Sequence, residues 1–318
     1  MRVLFVGGGS FIGAYAIRRL LADGHGVVAY DVNVQDNAIH RVLQPAELEQ
    51  VRFVQGDALD PIRLIATAKE EHVEAIVHLA AALIPVCDSQ PALATRINCD
   101  GLNHSFETAR LLGLRRVVWA SSIAVYGPPS SYAEEYPDES APHFPSTVYG
   151  ACKSFNERMG NHYFHHFGVD NIGLRFTVVY GPGRLRGETA YQLNLELVEK
   201  PATGRPGKVP MGDSLVNWQH VEDAAQAVVL ALYHQSPTRT RSFNTTGDVR
   251  TVREAVAHVR QLLPETDIEV LPGRWDAIAK LSARRIEEEL GYCPRFSMEV
   301  GLRESINFFR RQRGLPEA

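Results

Sequence analysis

Short unbroken hydrophobic runs alternate with amphipathic stretches through the first half of the chain. Val3-Leu4-Phe5-Val6 leads directly into Gly7-Gly8-Gly9-Ser10-Phe11-Ile12-Gly13, after which Ile12, Ala16, Ile17, Leu20 and Leu21 recur on one face of a helix. Gly26-Val27-Val28-Ala29-Tyr30 is a second run, ending in Asp31, and Val117-Val118-Trp119-Ala120 is a later one, ending in Ser121-Ser122. Runs without polar alternation belong to strands covered on both faces. The alternation up to about residue 175 therefore predicts an α/β fold with a parallel sheet between helical layers. Past 175 the pattern loosens into Pro/Gly-rich pieces such as 201–210. Helices expected at about 188–199, 251–263 and 298–312 form a smaller C-terminal lobe, while 220–234 packs back on the main domain. The division expected is 1–175 for cofactor and catalysis and 176–318 mainly for substrate. Between them, 127–145 is rich in Pro, Ser and acids and reads either as a lid or as a plain surface connection.

Strand, glycine turn and helix in that order make the phosphate-binding start of a Rossmann-type, doubly wound sheet, where backbone N–H groups meet a pyrophosphate at a helix N-terminus. Asp31, eighteen residues past Gly13, stands where a carboxylate binds ribose hydroxyls and repels a 2′-phosphate. Tyr149 and Lys153 lie four apart and so share a helix face. A neighbouring ammonium favours the ionised phenol, which makes Tyr149 a usable proton acceptor. If Ser146 or Thr147 caps that helix, its dipole adds to the effect. Ser122, at the C-terminal end of a parallel strand, can hydrogen-bond a reacting oxygen. Taken singly, a Tyr-x-x-x-Lys pair is also a common surface pair, and a strand-end serine is also a cap.

Together these residues resemble the extended short-chain dehydrogenase/reductase family, the NAD-dependent epimerases and dehydratases, over nearly the whole chain. The resemblance also takes in Gly56-Asp57-Ala58, His78-Leu79-Ala80-Ala81, Asn98 in Asn98-Cys99-Asp100-Gly101, Leu174-Arg175-Phe176, Tyr180-Gly181-Pro182-Gly183, His220-Val221-Glu222-Asp223-Ala224 and Leu290-Gly291-Tyr292-Cys293-Pro294. It implies NAD as cofactor, held by Gly7, Gly9, Ser10, Phe11, Ile12, Gly13 and Asp31. Asp57 and Ala58 are implied at the adenine, and Leu79, Ala80, Ala81, Asn98 and Phe176 elsewhere along the cofactor. It further implies that Lys153 grips the nicotinamide ribose and that Ser122 and Tyr149 grip the substrate oxygen. Ser10 departs from the family's middle glycine, so it either takes an allowed conformation or turns its hydroxyl to phosphate.

A chain of 318 residues with 45% hydrophobic content is long enough for one large domain and a lobe. A net charge of -4 argues against nucleic acid as a partner. With no apolar run of about 18 residues and no cleavable leader pattern, the expectation is a cytoplasmic protein without membrane contact. Cys87, Cys99, Cys152 and Cys293 lack metal-ligand or disulfide spacing and are expected as free thiols. His162, His165 and His166 have no acidic or cysteine partner in sequence, so no metal is expected.

Two activities use the same catalytic set: net oxidation or reduction of a secondary alcohol or ketone, and epimerisation of a nucleotide sugar through transient oxidation. Family members acting on nucleotide sugars carry polar and cationic groups where this chain has Val178 and Val216. That favours a small polar substrate, because an aliphatic side chain cannot pair a diphosphate. Ser121-Ser122-Ile123-Ala124 and Thr147-Val148-Tyr149-Gly150 locally resemble threonine 3-dehydrogenase-like members, whereas Tyr180-Gly181-Pro182-Gly183 is epimerase-like. Ile123-Ala124 lacks the acid pair of the dehydratases, and the intact Ser122, Tyr149 and Lys153 argue against a non-catalytic cofactor sensor. Arg184, Arg186, Arg205 and Lys208 read as solvated charge or as a clamp for a small anion. The resemblance also implies a homodimer through helices at about 92–112 and 148–167, where Phe155, Met159, Tyr163 and Phe167 form a stripe that ordinary core packing would equally explain.

Overall fold

The computed structural model describes residues 1–184 and 189–318. In chain order the strands are β1 (Arg2–Val6), β2 (Gly26–Asp31), β3 (Val51–Gln55), β4 (Ala75–His78), β5 (Arg116–Ser122), β6 (Asn171–Phe176), β7 (Val178–Tyr180), β8 (Gly207–Val209), β9 (Leu215–His220), β10 (Ser242–Asn244), β11 (Asp248–Thr251) and β12 (Ile268–Val270). Seven of them form one sheet in the order β10-β6-β5-β4-β1-β2-β3, and every neighbouring pair is parallel.

Why the runs are unbroken is visible in the layers. One face of the sheet packs on helices Phe11–Ala22 and Val221–Tyr233, and the other on Pro61–Glu70, Gly101–Leu112 and Val148–Phe167. Val3, Phe5 and Val77 thus face one apolar layer while Leu4, Val6 and Ile76 face the other. Helix Val221–Tyr233 lies against Phe11–Ala22, with Glu222 paired to Arg18 and Arg19. The sheet's edge strand β10 comes from residues 242–244, so the sheet draws on chain from both sides of residue 175.

Register brings the strand ends to one rim: Val6 pairs with Tyr30 and His78, His78 with Trp119, and Ser122 with Phe176. The strand order reverses between β1 and β4, the crevice where such sheets bind ligands.

The rest of the C-terminal region is a lobe with its own core. There β7, β9 and β11 form a mixed three-stranded sheet, and β8 pairs with β12. Helices Val252–Leu262 and Met298–Gln312 cover it. The helix expected at 188–199 runs from Thr189 to Asn194 and continues as a wider π turn at Leu195–Glu199, its first expected residue lying outside the described chain. Segment 127–145, which the sequence left open between lid and plain connection, is fastened down. Glu139 accepts from the Asn244 amide nitrogen, Arg285 pairs with Asp138 and Glu139, and Val125 and Tyr126 pack on Ile278 and Leu281.

Candidate active site

At the N-terminal loop, Gly7 has φ +75°, and a Cβ there would overlap the backbone of Ala80. Only glycine permits that approach of the β1 and β4 ends. Asp31 Oδ2 accepts from the Gly9 nitrogen at 2.9 Å, so the loop and the end of β2 are held together before any ligand arrives. Ser10 resolves its departure from a glycine in favour of the allowed conformation: at φ -71°, ψ 161° it caps helix Phe11–Ala22, its hydroxyl accepting from the Gly13 nitrogen at 3.3 Å. Phe11 is buried in the core beneath the loop. Gly13 lets the helix approach the Gly8 carbonyl.

Along the same rim, Asp57 accepts from the Leu59 nitrogen, and Ala58 is buried beside Gly101. Leu79 and Ala80 both donate to the Val6 carbonyl. Asn98 spends its amide on the backbone of Ala82, accepting from its nitrogen at 2.9 Å and donating to its oxygen at 3.0 Å. It therefore braces the turn that follows Ala80 and Ala81.

Helix Val148–Phe167 starts at Thr147, whose hydroxyl accepts from the Gly150 nitrogen at 3.0 Å, so Tyr149 does sit in the first turn. Gly150 packs against the Ala124 carbonyl so closely that a Cβ would overlap it, which seats the Tyr149 turn on the turn that follows Ser122. Ser122 Oγ accepts from the Ala124 nitrogen at 3.1 Å. The hydroxyl therefore both caps this turn and keeps its proton to donate. Lys153 is 3% exposed, its Nζ 5.4 Å from the Tyr149 ring centre and donating to the Ala120 carbonyl at 2.7 Å. Burial pulls its pKa down to about 8, with the nearby Cys152, Cys99 and Cys87 opposing. His78, buried under the same rim, is pushed down to about 3 by burial and by Lys153, and its Nδ1 lies 2.8 Å from Ser105 Oγ.

Sequence reasoning passed over the groups beneath these. Ser121 donates to Glu157 at 2.6 Å, and Glu157 is paired with Arg175 at 2.6 Å. Burial opposes the Glu157 charge, yet the guanidinium holds its carboxyl below the usual range. The available signal was spacing: Glu157 follows Lys153 by one more helical step of four.

The other expectations scatter. Arg205 pairs with Glu199 at 3.3 Å and Lys208 with Glu269 at 3.2 Å, exposed and matched within their own lobe, which fits the reading as solvated charge. Arg184 donates to the Val179 carbonyl and lies over the Phe11 ring, while Arg186 falls outside the described residues. His162 and His166 stack on each other, and among the described residues no cluster suits a metal.

Residues 3–245 match the NAD dependent epimerase/dehydratase family. The chain belongs to that family. It is a family of NAD-dependent enzymes, and the glycine turn opening helix Phe11–Ala22, with Asp31 at the end of β2 holding the Gly9 nitrogen, fits that cofactor. A UDP-glucose 4-epimerase of Mycolicibacterium smegmatis is 30% identical over 98% of this chain and 99% of its own. Among solved structures, a complex of UDP-glucose 4-epimerase from Thermus thermophilus with NAD matches with TM-score 0.84 and 25% identity, covering 98% of this chain and 99% of that one. An L-threonine dehydrogenase from Phytophthora infestans shares the fold with TM-score 0.84 at 21% identity, covering 98% of this chain and 100% of that one. The fold is thus shared by solved proteins of both activity classes. No helix among the described residues is long and apolar enough to cross a membrane.

Proposed function

We propose that the protein is an oxidoreductase moving a hydride between NAD and the secondary alcohol or ketone of a small polar substrate. The observation that carries this reading is the setting of Val178 and Val216. Val216 is 2% exposed in the apolar core of the C-terminal lobe, and Val178 packs against the same cluster with Tyr180, Leu197 and Trp218. The cavity beside Val178, lined by Tyr180, Asn194 and Trp218 among others, holds only about 10 Å³, about one water. That water would serve the buried Asn194 amide, whose two polar atoms have no partner in the protein. Both valines thus belong to packed core and offer no cation or amide to a diphosphate.

In this reading Ser122 donates its hydroxyl proton to the substrate oxygen. Tyr149 takes the proton that leaves the substrate hydroxyl, and Lys153, held on Ala120, keeps positive charge beside the phenol. NAD, when bound, supplies the hydride acceptor. Gly7, Gly9 and the N-terminus of helix Phe11–Ala22 face its pyrophosphate, Asp31 its ribose, Asp57 and Ala58 its adenine, and Leu79, Ala80, Ala81 and Phe176 line its path. Asn98 acts by bracing Ala82. The division of labour is that of a cofactor half at 1–175 and a mainly substrate-binding remainder. A homodimer belongs to the same proposal. Phe155 and Phe167, at 45% and 51% exposed, lie outward on helix Val148–Phe167, and Leu111 is exposed on helix Gly101–Leu112, whereas Met159 and Tyr163 turn into the core. The free thiols suit a reducing, cytoplasmic setting.

A second reading, a nucleotide-sugar 4-epimerase with tightly held NAD, is favoured by the full-length similarity to UDP-glucose 4-epimerase. Screening small alcohols and amino or sugar acids for NADH formation, alongside calorimetry with UDP and GDP, separates the two. Sub-millimolar binding of either nucleotide would overturn the small-substrate proposal.

A further inference from the structure

One buried guanidinium gathers several chain segments below the catalytic rim. Arg175, in β6 and 2% exposed, donates through Nε to Glu157 Oε1 at 2.8 Å and through Nη2 to Glu157 Oε2 at 2.6 Å. Its Nη1 reaches the Tyr126 hydroxyl at hydrogen-bond distance and, at 3.4 Å, Asn244 Oδ1. Glu157 also accepts from Ser121, the residue before Ser122, and stands one helical step beyond Lys153 and two beyond Tyr149. The pair therefore couples the strand end bearing Ser122 to the helix bearing Tyr149.

A further contact of Arg175 Nη2 is Nε2 of His143, at 2.9 Å. A guanidinium only donates and keeps its proton, so Nε2 is the acceptor and the ring is neutral, with its proton on Nδ1. His143 lies four residues before Thr147, on the segment that leads into the catalytic helix. We propose that His143 is a positioning residue: as a neutral imidazole accepting from Arg175, it locks segment 127–147 onto the Arg175–Glu157 pair and so sets where Tyr149 stands against Ser122. The inference rests on the reading of Tyr149 and Ser122 as the working groups.

Protonation would turn Nε2 into a donor facing another donor. From β6 the ring meets Arg175, from helix Val148–Phe167 it meets Glu157 at 3.5 Å and the charge of Arg158, and from the turn after β5 it meets the Tyr126 ring. Glu157 attracts an imidazolium, but its nearer oxygen, Oε2, lies 3.5 Å from the ring nitrogen and already accepts from Arg175 Nη2 at 2.6 Å. Burial, Arg175 and Arg158 push the imidazole below its ordinary value, with Glu157 opposing. The unfolded chain therefore binds the proton first. The latch is whole above about pH 6.5 and is lost as pH falls through the lowered folded value.

Hydrogen exchange across 127–147 in the NAD-bound protein, corrected for intrinsic rates between about pH 7.5 and about pH 5, tests it. Wild type should lose about tenfold or more in protection on the acid side, the equivalent of one charge-assisted hydrogen bond. His143→Gln places Oε1 where Nε2 stood and does not titrate, so its protection should stay near the neutral wild-type level throughout. His143→Leu should show the acid wild-type level at every pH. Protection that is flat with pH in wild type, that survives in His143→Leu, or that remains acid-sensitive in His143→Gln overturns the proposal. Because no substrate is used, failure of the redox reading in turnover assays is a separate result.

Discussion

In the cofactor half, consecutive strands lie side by side: β1 beside β2 beside β3, and β4 beside β5. In the C-terminal lobe, β9 is sandwiched between β7 and β11, drawn from 178–180, 215–220 and 248–251, and their cover comes from helices Val252–Leu262 and Met298–Gln312. The first arrangement builds its site from strand–turn–helix units that are nearly complete in themselves, as with Gly7, Ser10 and Asp31. The second has no such unit, since each short strand acquires a buried face only when distant chain arrives. Damage to the two regions should therefore read out differently, in ligand binding on one side and in stability on the other.

The sharpest break lies at the rim itself. Tyr149→Phe removes only the proton-transfer group, so turnover should fall by about 10²–10⁴ while NAD affinity by calorimetry stays within about twofold. Near-native turnover would dismiss Tyr149 as acid/base. Next comes Gly7→Ala. A Cβ in the left-handed region, driven into Ala80, should cost about 1–3 kcal/mol of backbone strain and weaken NAD by roughly a hundredfold, leaving the lobe's packing unaffected. Titration showing native NAD affinity would contradict the cradle geometry. Val216→Ala is its counterpart in the lobe. Loss of two buried carbon atoms should lower stability by about 2 kcal/mol in a denaturant titration while NAD affinity hardly moves. An effect on NAD of more than a few-fold would mean that the two regions are coupled.

Smaller effects refine the cofactor side. Asp31 holds Gly9 and is expected to repel a 2′-phosphate, so Asp31→Ala should narrow the preference for NAD over NADP by about tenfold, or about 1.4 kcal/mol, measured by competitive titration. Lys153 carries the mildest expectation. Burial lowers its pKa to about 8, so the ammonium proposed to grip the nicotinamide ribose is present below that value and lost as pH rises through it. NAD affinity should accordingly decline a few-fold between about pH 7 and about pH 9 in wild type and stay flat in Lys153→Met. Flat affinity in wild type would remove the ammonium from that role.

How far these regions could be read from residues alone follows the same division. The stripe Phe155, Met159, Tyr163 and Phe167 reads equally as a dimer face or as core packing, and the helix divides it: Tyr163 is buried and Met159 packs on the core, whereas Phe155 and Phe167 are exposed. The buried side of the helix also takes in Lys153, Asn156, Glu157 and Gly160. A polar face can be buried only where partners satisfy it, and those partners are the Ala120 and Asn98 carbonyls, Arg175 and the Trp119–Asn171 pair. Similarly, segment 127–145 reads either as a lid or as a plain connection until Glu139 is seen on Asn244 and Arg285 on Asp138.

What the residues determined unaided were the features whose partners lie within a few turns of chain: the glycine turn running into a helix, the Asp31 carboxylate a strand away, and the Tyr149–Lys153 pair on one helix face. Their geometry follows from helix pitch, strand period and the reach of a glycine backbone, all of which are local. Tertiary structure alone decided that Arg175 would neutralise Glu157, that His143 would face Arg175 as an acceptor, and that Val178 and Val216 would join an apolar core. A buried charge or a buried methyl has no energetic meaning until its neighbours are known, because whether it stabilises or destabilises depends on what replaces the water it loses.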